Sequence, residues 1–271
     1  WKDPELQHLG LFGDVLAGSR ASPLPRRLVY EKGLATAVNT YVGDAELGST
    51  FNIVVTVKPG VDPAEVEREM DAVLNTLIEN GPAPEPVRRS QTGNLAGFSR
   101  SIERLGGFGG RSDVLAEHMT YAGQPDAYLS RLEAMATATP AQVKAAAQKW
   151  LRAHHYTMTV RPFAKLAAGK STLDRKVLPA LGAAPDVTFP DMQRATLSNG
   201  LEVILLERHS APIVNAALAV DAGAASDTLA NAGTASLALD LLDKGTRTRN
   251  VFQMADALAE PVPLGGLPLD V

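Results

Sequence analysis

Cysteine is absent from this chain of 271 residues. The chain can therefore form no disulfide bond, no thiolate metal site and no cysteine nucleophile, and the absence fits a cytoplasmic and an oxidising compartment equally well. Apolar runs are short, and none approaches the roughly 18 residues that a membrane-spanning helix needs. We expect a soluble, bacterial-type protein of the periplasm or the cytoplasm, with no membrane span.

An excess of positive charge is missing as well. The formal net charge is −4 and no basic block occurs, so a nucleic-acid partner has no electrostatic support. What is present is ordinary: 45% of the residues are hydrophobic and 21% are charged, as in soluble globular proteins. A chain of this length can bury a real core, in one large or two modest domains.

Hydrophobic periodicity predicts many helices and few strands. The predicted helices cover residues 6–17, 24–32, 63–79, 87–104, 112–121, 126–136, 139–151, 233–242 and 250–259. The predicted strands cover residues 35–42, 50–57, 156–160, 201–206 and 213–220. Two helix starts have strong caps, because Asp62 and Thr139 each precede a proline at the first helical position.

Two features that suggest chemistry have simpler interpretations. Residues 105–111 are rich in glycine, but they lack the lysine and serine of a phosphate-binding loop and follow no clear strand, so we predict a hinge or bend. The histidines have no partner one helical turn away, and we predict ordinary surface or capping roles for all of them: His8, His118, His154, His155 and His209.

The most informative stretch runs from Gln193 to Thr246. A turn at residues 198–200 precedes the strand 201–206, and the apolar run 213–220 is the simplest partner for a hairpin. An alanine- and leucine-rich helix over residues 233–242 then stops before Gly245.

This stretch resembles the opening of a domain in the insulinase/pitrilysin family of zinc peptidases, the inverted zincins, whose first helix carries His-x-x-Glu-His. The frame is kept here by Gly233, Ala235, Gly245 and Thr246. The five motif positions read Ser-Leu-Ala-Leu-Asp, however.

The chemistry of the motif is therefore lost. Ser236 and Asp240 stand at the two histidine positions, and Leu239 stands at the position of the glutamate base. A catalytic zinc needs about three protein ligands, and a leucine cannot accept a proton. The resemblance thus implies that this chain has no catalytic residue and no metal ligand, and that zinc belongs to the full-length family enzyme.

Residues 11–35 also resemble the family, in a glycine- and serine-containing loop followed by the run Leu28-Val-Tyr-Glu-Lys-Gly-Leu-Ala35. Some members hold the substrate backbone with an arginine and a tyrosine in this segment, and that pair is missing here. We therefore assign no substrate-binding residue. Arg26, Arg27 and Tyr30 remain as weak candidates, with a plain surface role as the alternative for the two arginines.

The resemblance implies an α+β fold, with helices packed on antiparallel or mixed sheets in two homologous domains of which the second is truncated. We place the first domain at residues 1–163, an extended linker at 164–190 and the incomplete, inactive second domain at 191–271. The run Pro261–Pro268 departs from the family. The abrupt polar opening of the chain is typical of a fragment or a cleaved product.

The first functional hypothesis is a non-catalytic portion of a zinc metalloendopeptidase, inactive alone, that helps to enclose and bind peptide substrates. The second is a non-catalytic scaffold or partner subunit of the same family, and the third is an unrelated α+β binding module. The partners implied by the family are a peptide substrate and a catalytic half or subunit, and we expect homo- or hetero-association. A native reading frame that encodes His-x-x-Glu-His upstream would favour the first hypothesis over the second.

Overall fold

The structure is a computed structural model that describes residues 2–152, 155–161, 191–207, 214 and 216–259. The chain divides into two compact units. Trp1–Tyr156 and Ile213–Val271 form the first unit, and Thr157–Pro212 form the second. The predicted linker 164–190 and the tail after Ala259 lie outside the described residues. The domain boundaries proposed from the sequence stay a prediction.

The first unit is mainly helical, with one small sheet. In chain order it contains α1 (Glu5–Ala17), α2 (Pro23–Pro25), a π-helical segment (Arg26–Glu31), β1 (Ala35–Gly43), β2 (Thr50–Val57), α3 (Pro63–Asn80), α4 (Pro84–Ser101), α5 (Arg111–Ala122), α6 (Tyr128–Ala136), α7 (Pro140–Trp150), two short 3-10 turns (Ala224–Ser226 and Leu229–Asn231), α8 (Thr234–Leu241) and α9 (Val251–Leu258).

Helix α1 is the centre of the core, and it packs against β1, α4, α6 and α7. Its side chains Phe12 and Leu16 are fully buried, as the spacing of four residues along one helix face requires. The ring of Phe12 meets Phe51 of β2 edge to face, with 6.2 Å between ring centroids. The core is completed by residues of the neighbouring elements, among them Leu24, Leu28, Val38, Val66, Ile78, Val87, Val143 and Ala147.

The sheet of the first unit consists of β1 and β2 in antiparallel pairing, with Val38 opposite Val55 and Tyr41 opposite Asn52. Because successive side chains alternate between the two faces of a strand, one face joins the core and the other does not. Val38 and Val55 lie on the core side, whereas Tyr41 and Val54 point away from it and are about half exposed.

Helix starts follow the caps that the sequence predicts. The Asp62 side chain accepts a hydrogen bond from the backbone N–H of Ala64 at 3.1 Å and begins α3. At the start of α7, Thr139 and Gln142 form a reciprocal capping box. Such caps satisfy backbone donors that have no partner within the helix, which is why these two starts could be located to the residue.

The structure corrects the hairpin that was predicted between residues 201–206 and 213–220. Strand β4 (Glu202–Leu205) pairs with β3 (Gln193–Thr196) in antiparallel register in the second unit. The described residues of that run, 214 and 216–220, lie outside any strand. The tight turn between β3 and β4 closes by a hydrogen bond from Leu197 N–H to the Leu201 carbonyl at 2.9 Å, and a short local pairing of this kind needs no long connection.

Two further expectations also change. Residues 156–160, predicted as a strand, are exposed and lie outside any strand in the described part of the chain. The helix predicted over residues 24–32 is helical, but from Arg26 it takes the wider π geometry. A π turn carries one more residue than an α turn and often marks a functional position.

The fold class is α+β, as the sequence predicted. Within the residues that the structure describes, both sheets are antiparallel pairs. A search of those residues finds no helix that combines the length and the apolar character needed to cross a membrane.

Candidate functional site

Helix α8 carries the three positions at which the family motif would place its chemistry. It begins after Gly233, whose φ of +95° favours glycine at that position. The Asp227 carboxylate accepts hydrogen bonds from Gly233 N–H at 2.9 Å and Ala235 N–H at 3.1 Å, which satisfies the first donors of the helix. The predicted helix over residues 233–242 is therefore confirmed.

The motif positions on α8 lie at the surface. Ser236, Leu239 and Asp240 are all exposed, and the spacing of four places Ser236 and Asp240 on one helix face. This face offers one hydroxyl and one carboxylate, which is fewer than the three protein ligands of a catalytic zinc. No group of three or more histidine or acidic side chains close enough to hold a metal occurs among the described residues.

The second set of candidates lies on the π-helical segment. Arg27 donates to Glu69 of α3 at 2.8 Å, and Lys32 lies 3.2 Å from the other oxygen of the same carboxylate. These hydrogen bonds, first that of Arg27 and then that of Lys32, hold the pKa of Glu69 below its usual range. Arg27 is thus engaged in an ion pair that ties the π-helical segment to α3.

Arg26 and Tyr30 contact helix α9, near the C-terminal end of the described chain. The Tyr30 ring meets the Phe252 ring of α9 edge to face, with 5.4 Å between centroids and 83° between planes. The Arg26 guanidinium lies 5.0 Å from the centroid of the same Phe252 ring, within the range of a cation–π contact. Both candidates therefore contact an aromatic side chain of their own chain.

Two ion pairs extend this contact. Arg89 of α4 lies 3.1 Å from the Asp256 carboxylate of α9. Arg20, in the loop before α2, lies 2.7 Å from Asp243. We call Arg20, Arg26, Tyr30 and Arg89 the α9 docking surface. Local sequence patterns do not indicate its pairings, because its partners all lie more than one hundred residues later in the chain.

A cavity of about 190 Å³ lies beside α1 and β1. At its rim the Asp14 carboxylate accepts hydrogen bonds from the Ser90 hydroxyl at 2.6 Å and the Asn94 amide at 2.7 Å. Apolar walls come from Phe51, Val42 and Met135. The cavity is therefore amphipathic, and Asp14 and Asn94 of its lining are paired with each other.

Taken together, these features define an α+β protein whose helix α8 presents Ser236, Leu239 and Asp240 at the surface. Residues 1–94 match the family model described as the peptidase M16 inactive domain. The resemblance to the insulinase/pitrilysin peptidases is thereby confirmed.

Several solved structures are similar to this chain. A protein assigned as a zinc protease in Bordetella pertussis Tohama I is 21% identical, with a TM-score of 0.49 over 55% of this chain and 80% of that one. The inactive peptidase domain of a protein so assigned in Bordetella parapertussis is 20% identical, with a TM-score of 0.49 over 55% and 79%. A peptidase M16 inactive domain from Pseudomonas fluorescens is 20% identical, with a TM-score of 0.45 over 55% and 34%. No curated protein gives a match.

Proposed function

We propose that this chain is the non-catalytic portion of a zinc metalloendopeptidase and that it helps to enclose and bind peptide substrates. The match of residues 1–94 to the peptidase M16 inactive domain carries the proposal. Helix α8 supports it, since its motif positions hold Ser236, Leu239 and Asp240 in place of a zinc site. Catalysis then comes from a partner domain or subunit that carries His-x-x-Glu-His.

The open face of the β1–β2 sheet is the surface that we propose for the peptide. It combines the phenol of Tyr41 and the amide of Asn52, which lie opposite each other, with the apolar side chain of Val54 opposite Asn39. Tyr41 is 55% exposed and Val54 is 47% exposed. An aromatic and an aliphatic side chain among amides can bind an extended peptide through apolar contact and hydrogen bonds.

The edges of this sheet support the same role. In the described part of the chain, β1 and β2 pair only with each other, so each strand has an outer edge with backbone groups that no described strand occupies. An extended peptide can add to such an edge through main-chain hydrogen bonds.

The first test is metal analysis and peptidase assay of the purified chain, alone and with a catalytic partner. We expect much less than one zinc per chain, and no cleavage of a quenched fluorescent peptide library by the chain alone. With the catalytic domain of its native reading frame, we expect cleavage. One tightly bound zinc that is lost in Asp240→Ala would refute the proposal.

The second test locates the peptide surface. In the reconstituted enzyme, Tyr41→Ala should raise KM about threefold to tenfold and leave kcat nearly unchanged, because the contact is made equally before and in the transition state. Thr56→Ala, an exposed position on the same face of β2 with a short side chain, is the matched control. Equal KM values for Tyr41→Ala and the unaltered chain would remove this face from the proposal.

A further inference from the structure

We propose that the α9 docking surface is a recognition site for amphipathic helices that carry an aromatic and an acidic side chain one turn apart, and that α9 occupies this site in cis. The surface is formed by Arg20, Arg26, Tyr30 and Arg89, from the loop before α2, the π-helical segment and α4. This inference does not depend on the peptidase role.

The spacing on α9 matches the surface. Phe252 and Asp256 are four residues apart, so they lie on one face of the helix. On that face Phe252 meets Tyr30 and Arg26, while Asp256 reaches Arg89 at 3.1 Å. The outer side chains of the helix differ, since Leu258 is 66% exposed. One face of α9 is thus specialised for this contact.

Charge complementarity defines the class of ligand. The surface presents three arginines, and two of them pair with carboxylates of the docked segment, Arg20 with Asp243 and Arg89 with Asp256. The third, Arg26, lies over the Phe252 ring. A helix with a basic residue at the position of Asp256 would meet like charge, so the surface selects acidic helices over basic ones.

The geometry of α9 indicates that docking is reversible. The helix spans Val251–Leu258 and is started by Asn250, whose side chain accepts from Phe252 N–H at 3.0 Å and Gln253 N–H at 2.9 Å. A helix of two turns is marginal in water even with a good cap, and half-exposed ion pairs are individually weak. Helix α9 therefore occupies the site but can leave it.

The first experiment measures hydrogen exchange of α9 in the full chain. We expect the amides of residues 254–258 to exchange about tenfold faster in the double variant Phe252→Ala/Asp256→Ala than in the unaltered chain. Leu258→Ala, which removes an exposed apolar side chain of the same helix, should leave exchange unchanged. If the unaltered chain already exchanges as fast as the double variant, the proposal is wrong.

The second experiment tests recognition in trans. The probe is a fluorescent peptide of residues 243–259, added to the unaltered chain and to the double variant Phe252→Ala/Asp256→Ala. Binding to the double variant should be at least about tenfold tighter. In the unaltered chain α9 occupies most of the sites, and the apparent affinity for the peptide is reduced in proportion to the small fraction of sites that are open. Adding Tyr30→Ala to the double variant, or Asp256→Lys to the peptide, should abolish binding. Equal binding to both chains, or no binding to the double variant, would overturn the proposal.

Discussion

Gly13 lies where α1 approaches the sheet most closely. A Cβ atom built at this position would come within 3.3 Å of both the Phe51 ring and the Thr40 hydroxyl oxygen, and the Gly13 carbonyl accepts a hydrogen bond from that hydroxyl at 2.8 Å. Gly10, one turn earlier on the same helix, has nothing within 4 Å of such an atom. Alanine substitutions at these two glycines therefore distinguish the effect of crowding on stability from the effect of helix propensity.

We predict that Gly13→Ala lowers the free energy of unfolding by about 1–3 kcal/mol, because an added methyl group overpacks a well-filled contact. Gly10→Ala should raise the free energy of unfolding by about 0.5–1 kcal/mol, because alanine is the better helix former and space is available. Urea unfolding followed by circular dichroism measures both. A stabilised Gly13→Ala would show that the sheet can move away from α1.

At the level of single residues, the sequence reveals motifs better than contacts. Ser236, Leu239 and Asp240 could be named because a local frame of glycines places them on one helix, although their role stays a prediction. The surroundings of Arg26 and Tyr30 could not be named, because their partner Phe252 lies at the other end of the described chain. Nothing in a run of neighbouring residues specifies such a pair.

Helix α6 is held in place through its C-terminal end. The Gln91 side-chain amide of α4 donates to the carbonyls of Met135, Ala136 and Ala138 at 3.0, 3.1 and 2.9 Å. The last carbonyls of a helix have no partner within it, so one side chain here satisfies acceptors that would otherwise need water. It also fixes α6 against α4.

Removing this amide should loosen α6. We predict that Gln91→Ala lowers the free energy of unfolding by about 1–3 kcal/mol, the cost of leaving partly buried acceptors unpaired. Gln91→Glu should cost at least as much at neutral pH, because a carboxylate faces three carbonyl oxygens. Thr92→Ala, whose hydroxyl bonds only within α4, is the control and should change stability by less than about 0.5 kcal/mol. A neutral Gln91→Ala would mean that water replaces the amide.

Whether a helix or strand could be predicted depends on how far apart in the sequence its stabilising interactions lie. Helices α3 and α7 begin where the sequence predicts, since Asp62 and Thr139 cap them locally. Strands depend on a partner elsewhere in the chain. The two strand assignments that are wrong, at residues 156–160 and at the described residues 214 and 216–220, were apolar runs judged without a partner. Strand β4 was found, but its partner β3 reads Gln-Arg-Ala-Thr, which has little of the β-branched and aromatic character typical of a strand.

At the scale of the molecule, the first compact unit joins two distant parts of the sequence. Residues 1–156 and the segment after residue 213 belong to one unit, and the described contacts between them include the ion pairs Arg20–Asp243 and Arg89–Asp256. Composition and periodicity predict the elements on each side of this contact. They cannot predict the contact, because it depends on complementary side chains and not on a pattern within either part.

The Arg89–Asp256 pair offers a quantitative test of the contact between residues 1–156 and the segment after residue 213. Its side chains are 24% and 45% exposed and 3.1 Å apart, so solvent screens the attraction and the expected coupling is about 0.2–1 kcal/mol. In a double-mutant cycle, Arg89→Glu and Asp256→Arg should each destabilise the chain through like-charge contacts with their unaltered partners. The double variant should recover most of the loss, because it restores an opposite pair. Additive effects of the two substitutions would show that Arg89 and Asp256 do not meet in solution.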